Sequence, residues 1–140
     1  RSTYDALSAG SRHFDMAHVY SSHRAVGNVL GQKFMTGELM RKDVFLTTKI
    51  GHPLPPKFVM SPLNCLSWTN DETLEKRVET QIELSLQDVG VGYFDLLLIH
   101  WPGDASSTDE TANRQMRLRI WRVLERYYTQ RRQARAIGVS

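Results

Sequence analysis

Residues 93–100 read Tyr93-Phe94-Asp95-Leu96-Leu97-Leu98-Ile99-His100. Four consecutive aliphatic residues leave no room for the polar-apolar alternation of a strand with one wet face. An unbroken run of this kind predicts a strand buried on both faces, as in a parallel sheet. It ends on an imidazole. Working outward, two earlier runs have the same form. His13–Ala17 lies inside RHFDMAHVY (residues 12–20), and Val44–Ile50 reads VFLTTKI. Asp15 and Lys49 stand near the ends of these runs, and Tyr20 follows Asp15 by five residues. The C-terminal ends of parallel strands are where α/β barrels carry their chemistry.

Helical patterns separate the runs. Ser2–Ala9 predicts the end of a helix, with Gly10 as its stop. Ala25–Met35 spaces Val26, Val29, Leu30 and Phe34 at the helical period, and Gly27 and Gly31 within it read as packing contacts. Thr69-Asn70-Asp71-Glu72 has the form of a capping box. An apolar stripe of Leu74, Val78, Ile82 and Leu86 follows, and Gly90 marks the stop. Asp109–Gln130 predicts a long helix, and Ala134–Val139 a fourth strand. The order is α-β-α-β-loop-α-β-α-β, which argues for parallel βα units. Gly51–Ser67, with Pro53, Pro55, Pro56 and Pro62, predicts a loop insertion rather than a simple connection. The reading is a single α/β domain over residues 1–140, a partial (β/α)8 TIM barrel with about four parallel strands. A complete barrel needs roughly 250 residues, so this is about half of one. The sequence begins at Arg1 and stops at Ser140 directly after an apolar run, and both ends read as cut.

The composition, 41% hydrophobic and 24% charged, is that of a soluble globular protein. No apolar run approaches the ~20 residues of a membrane-spanning helix, so no membrane partner is expected. The single cysteine, Cys65, makes neither an intrachain disulfide nor a thiolate cluster, and it points to a reducing, cytoplasmic setting. It reads as a small, semi-buried apolar residue. A net charge of +3 requires no nucleic acid. Arg114, Arg117, Arg119, Arg122, Arg126, Arg131, Arg132 and Arg135 crowd the last helix and its end; they read as its solvated face. His13, His18, His23 and His52 have no metal-ligand spacing and read as bystanders, so no metal is expected.

Taken together, Asp15, Tyr20, Lys49 and His100 have a definite chemistry. A phenol is a poor acid at neutral pH, and a neighbouring ammonium improves it. A carboxylate keeps the ammonium charged and in place. An imidazole donates a hydrogen bond to a substrate oxygen. The set polarises a carbonyl and delivers a proton to its oxygen. The hydride that completes a reduction needs a nicotinamide cofactor.

These residues lie in segments that resemble the aldo-keto reductase family. GSRHFDMAHVYSSHRAVG (residues 10–27) is similar to its N-terminal signature, and VFLTTKI to the strand with its lysine. DVGVGYFDLLLIHWPG (residues 88–103) and RAIGVS (residues 135–140) resemble two later strands. The resemblance starts after the family's first barrel strand and stops at its fifth. It implies an NADP(H)-dependent reductase of aldehydes or ketones. Tyr20 is then the general acid, Lys49 its tuner, Asp15 the partner of the lysine, and His100 the residue that orients the carbonyl. The resemblance also implies that Asp15 and Ser140 contact the cofactor, NADPH or NADP+, and that Trp101 beside His100 shapes the substrate pocket. Ser22-His23 stands where the family often has Asn-Glu, a change expected to alter capping and not chemistry. The residues that grip the adenosine phosphate fall outside this stretch, so these 140 residues alone are expected to be inactive. The alternative is a non-catalytic fragment, or a regulatory or binding module that keeps the reductase-like fold.

Overall fold

The computed structural model describes residues 2–51, 73–103 and 108–140. Its elements are α1 (Ser2–Ser8), β1 (His13–Asp15), α2 (His23–Met35), β2 (Phe45–Ile50), α3 (Leu74–Val89), β3 (Leu96–Ile99), α4 (Glu110–Thr129) and β4 (Ile137–Val139). Single turns of 3₁₀ helix cover His18–Tyr20 and Arg41–Asp43. The strands lie in chain order, β1-β2-β3-β4, and every pairing is parallel. Asp15 is in register with Thr47, Lys49 with Leu98, and Ile99 with Val139.

The strands alternate between two faces. Phe14, Leu46, Thr48, Ile50, Leu97 and Ile99 are buried against the helices. There they join Leu30, Val78, Ile82, Ile120, Val123 and Leu124 in one continuous core. Asp15, Lys49 and Leu98 take the opposite face. Strands in sequential order with helices on one side make the wall of a barrel; a doubly wound sheet carries helices on both sides.

The strands are shorter than the apolar runs. Met16 leaves β1 after donating its N–H to Thr47 O, and Phe94 makes a lone parallel bridge to Ala134. The cap of α3 is also displaced. Thr73 is the N-cap, its hydroxyl accepting from the Lys76 N–H, so the helix begins beyond the expected box. Thr69–Glu72, residues 52–67 of the expected insertion, and Cys65 lie outside the described residues. Gly90 ends α3 at φ 73°, with Val91 N–H reaching back to Leu86 O, a Schellman-type stop.

The arginines of α4 and its end lie largely on its solvated face, and several of them are also paired. Arg119 makes a two-pronged contact to Glu75, while Arg126 and Arg131 reach Glu79 and Glu83. Glutamates four residues apart on α3 thus face a row of guanidinium groups on α4 and just beyond its end. No helix among the described residues is long and apolar enough to cross a membrane.

Candidate functional site

β2 delivers Lys49 to the open face of the sheet near its C-terminal end, and β1 delivers Asp15 beside it. Lys49 Nζ donates to Asp15 Oδ2 at 2.7 Å. The chain leaves β1, makes the 3₁₀ turn and brings Tyr20 over the pair, with Lys49 Nζ 5.2 Å from the phenol ring centroid. His100 is the first residue after β3, fixed by its N–H to Ile50 O at 3.0 Å. Its Nε2 lies 3.4 Å from Tyr20 OH, and the two rings meet edge to face at 5.6 Å. Thus Asp15, Lys49, Tyr20 and His100 converge on one strand-end site. Tyr20 is half exposed.

Trp101 stacks on His100 with ring centroids 3.9 Å apart and 13° between planes. Gly51, directly after β2, leaves room for this indole: a Cβ there would lie 3.0 Å from Trp101 Cζ3. Ser140 lies past the end of β4, its N–H bonded to Ile99 O at 2.9 Å. It therefore stands at the same rim as His100, without contact to the foursome in the hydrogen bonds described.

Burial by itself lowers the Lys49 pKa, but the hydrogen bond and charge of Asp15, then Tyr20, outweigh it and leave the pKa raised. His100 is shifted the other way, by burial first and by the Lys49 charge second, with Asp15 opposing. At neutral pH the site therefore holds a charged ammonium and a neutral imidazole. His100 Nδ1 is buried and has no hydrogen-bond partner. A proton on Nδ1 would be an orphaned buried donor, a rarer and costlier state than an orphaned lone pair. The proton therefore belongs on Nε2, aimed at the phenol oxygen.

The sequence reading missed two histidines. His23 Nε2 is 2.8 Å from Thr48 Oγ1, buried between α2 and β2, and His13 Nε2 is 2.9 Å from Thr47 Oγ1. Neither is a bystander. Ser22 is the N-cap of α2 and makes no side-chain capping bond, in keeping with the altered capping expected of Ser22-His23. Only the rule that a buried imidazole needs a partner could have flagged His23. Among the described residues, no three His, Cys, Asp or Glu side chains gather as a metal site.

The sheet, the one-sided helices and a strand-end site define a segment of a barrel enzyme fold. The sequence pattern of the aldo/keto reductase family matches residues 3–140, and the chain belongs to that family. It is 33% identical over 135 residues to the 9,11-endoperoxide prostaglandin H2 reductase of Trypanosoma cruzi, covering 96% of this chain and 36% of that protein. It is 31% identical over 140 residues to an aldo-keto reductase of Bombyx mori, covering all of this chain and 39% of the relative. The crystal structure of the Bombyx mori aldo-keto reductase with NADP superposes at a TM-score of 0.66 and 28% identity, over 98% of this chain and 38% of that one. An aldo-keto reductase from Brucella melitensis gives 0.67 and 27%, over 98% and 41%. The chain thus spans well under half the length of these relatives and forms a partial (β/α)8 barrel.

Proposed function

We propose that this chain carries the proton-donating half of an NADP(H)-dependent site that reduces an aldehyde or ketone to an alcohol. The observation that carries the reading is the convergence of Lys49 and His100 on Tyr20. Tyr20 is the general acid: its phenolic proton passes to the carbonyl oxygen as negative charge develops there. The charged Lys49 stabilises the phenolate left behind, and Asp15 holds the ammonium in position. The His100 Nε2–H donates a second hydrogen bond to the same oxygen and sets the carbonyl's direction. Trp101, stacked on His100, keeps the imidazole plane fixed and forms one wall for the substrate.

The donor set suits a nicotinamide. It contains an acid, a cation and a neutral hydrogen-bond donor, and no side chain that gives up a hydride. When bound, the reduced nicotinamide supplies that hydride. Asp15 and Ser140 would hold it at the strand-end rim. Two relatives crystallised with NADP and with NADPH favour the phosphorylated cofactor. The single cysteine suits a reducing, cytoplasmic setting.

The test is NADPH consumption with a small aldehyde by the full-length protein, compared with its Tyr20→Phe variant. Loss of a positioned acid lowers kcat by about 10²–10⁴-fold. Equal rates would remove Tyr20 from the acid's role.

A further inference from the structure

We propose that His23 is a positioning residue for Tyr20, acting through a buried hydrogen bond to Thr48. This rests on the reading of Tyr20 as the acid. The segment that carries Tyr20 is tied to β2 at both of its ends. At the near end, Met16 N–H donates to Thr47 O at 2.9 Å. At the far end, His23 begins α2, is only 4% exposed, and brings Nε2 to 2.8 Å from Thr48 Oγ1. Thr47 and Thr48 are adjacent, and Lys49 comes next. The phenol is therefore located from the same strand that carries the ammonium beneath it.

Between the two ties the chain also reaches His100 through Tyr20 OH, 3.4 Å from His100 Nε2. One 3₁₀ turn closes with Tyr20 N–H to Ala17 O at 2.9 Å. Ser21 then sits at φ 54°, a left-handed conformation that a residue with a Cβ adopts at a cost of about 1 kcal/mol or more. Such a turn persists when its surroundings enforce it, and the His23–Thr48 bond is placed to do so. Phe94 packs edge to face on the His23 ring, 6.4 Å between centroids, and limits its rotation. Thr48 has no exposed surface, so no water competes for its hydroxyl. An aliphatic residue at position 23 would fill the same space without fixing the register of α2 on β2. The hydrogen bond adds direction where packing alone adds volume.

The experiment uses the full-length protein and three variants, Thr48→Val, His23→Ala and His23→Gln. Thr48→Val keeps the shape and deletes the hydroxyl. His23→Gln keeps an amide that reaches the position of Nε2. Each is read by kcat and KM with NADPH and a small aldehyde, and by the ¹³Cζ resonance of Tyr20 in tyrosine-labelled protein. Thr48→Val and His23→Ala are expected to lose about tenfold or more in kcat, the scale of a small misplacement, with KM for NADPH within about twofold. The Tyr20 resonance should move in both. His23→Gln should recover kcat to within about threefold of wild type. A folded Thr48→Val protein with unchanged kcat and an unmoved Tyr20 resonance would overturn the proposal, as would a His23→Gln variant as slow as His23→Ala. If His23→Ala does not fold, Thr48→Val decides. If the wild type reduces no carbonyl, the proposed activity fails by itself, and the resonance of Tyr20 alone decides whether the tie positions it.

Discussion

Lys49 and Asp15 form an ion pair that is buried on one side only: 9% of the lysine side chain is exposed against 53% of the aspartate, across a 2.7 Å contact. The carboxylate is therefore the part that solvent and ligands reach, and the ammonium is held behind it. Burial would drive the proton off Lys49, and Asp15 prevents this. Because the folded pKa is raised, the pair's contribution to stability is complete below about pH 10.5 and is lost as pH climbs through the higher folded value. Asp15→Asn removes the larger favourable influence and leaves only Tyr20 opposing burial. We expect Lys49 to titrate at lower pH and stability at neutral pH to fall by about 1–3 kcal/mol, between the exposed and buried limits for an ion pair. Urea unfolding from pH 7 to 11 measures both; an unchanged alkaline profile would sink the argument.

His23 sets an opposite dependence at the acid end. Burial first, then the charge of His18, pushes its pKa down to about 4, with Asp88 pulling it back. A base with a depressed folded pKa is protonated more readily in the unfolded chain. Stability is thus intact above about pH 6.5 and declines as pH falls toward 4. The shift corresponds to at most about 3 kcal/mol. Comparing urea midpoints at pH 7 and 4.5 for wild type and His23→Gln isolates this contribution. The glutamine variant should lose less on acidification, and equal losses would assign the acid sensitivity elsewhere.

The fold was legible because a parallel strand leaves an unbroken apolar run such as Leu96–Ile99, and amphipathic helices leave a stripe such as Val78, Ile82 and Leu86. Within that run only Leu97 and Ile99 are fully buried, although Leu96 and Leu98 are half-buried on the open face. The site was legible because titratable residues close or follow those runs. The unread parts are pairings between residues far apart in sequence. His23 meets Thr48 across 25 positions, and Arg119 meets Glu75 across 44. Neither single residue announces its partner. Asp95 appeared as an interruption of an apolar run, yet it is a buried hub: it accepts from Leu46 N–H at 2.9 Å and Arg41 Nη2 at 2.7 Å. Arg135 Nη1 approaches its other oxygen at 3.3 Å. Strand ends were overrun because apolar content continues past the ladder, into Phe94 on one side and Met16 on the other.

That hub and the α3–α4 ladder predict contrasting effects. Asp95 is 5% exposed, and its loss leaves the Arg41 guanidinium, already carrying an unpartnered buried Nε, with the carbonyl oxygens of Val44 and Tyr93 but without its counter-charge. Asp95→Ala should cost about 3–5 kcal/mol, the scale for breaking a buried pair. The Arg119 hydrogen bond lowers the Glu75 pKa to about 2, but both side chains are about a third or more exposed, and solvent screens the pair. Glu75→Gln should cost less than about 1 kcal/mol, and less again in high salt. Chemical denaturation of the two variants at low and high salt tests the ranking, and a reversed order would contradict it.

Two glycines of α2 give the sharpest contrast in packing. They were read alike, and the structure separates them. A Cβ on Gly27 would collide with the carbonyl oxygen of Asp88 and come within 2.7 Å of Val89 Cα. Those are backbone atoms at the end of α3 and cannot swing aside. Gly27→Ala must therefore push α2 off α3, an overpacking cost of about 1–3 kcal/mol. A Cβ on Gly31 would meet nothing within 4 Å. There the only change is the better helix propensity of alanine, a gain of about 0.5–1 kcal/mol. Thermal unfolding should show Tm falling for Gly27→Ala and rising for Gly31→Ala. Since α2 begins at His23, three residues after Tyr20, the displaced helix in Gly27→Ala should also slow turnover, while Gly31→Ala leaves it unchanged.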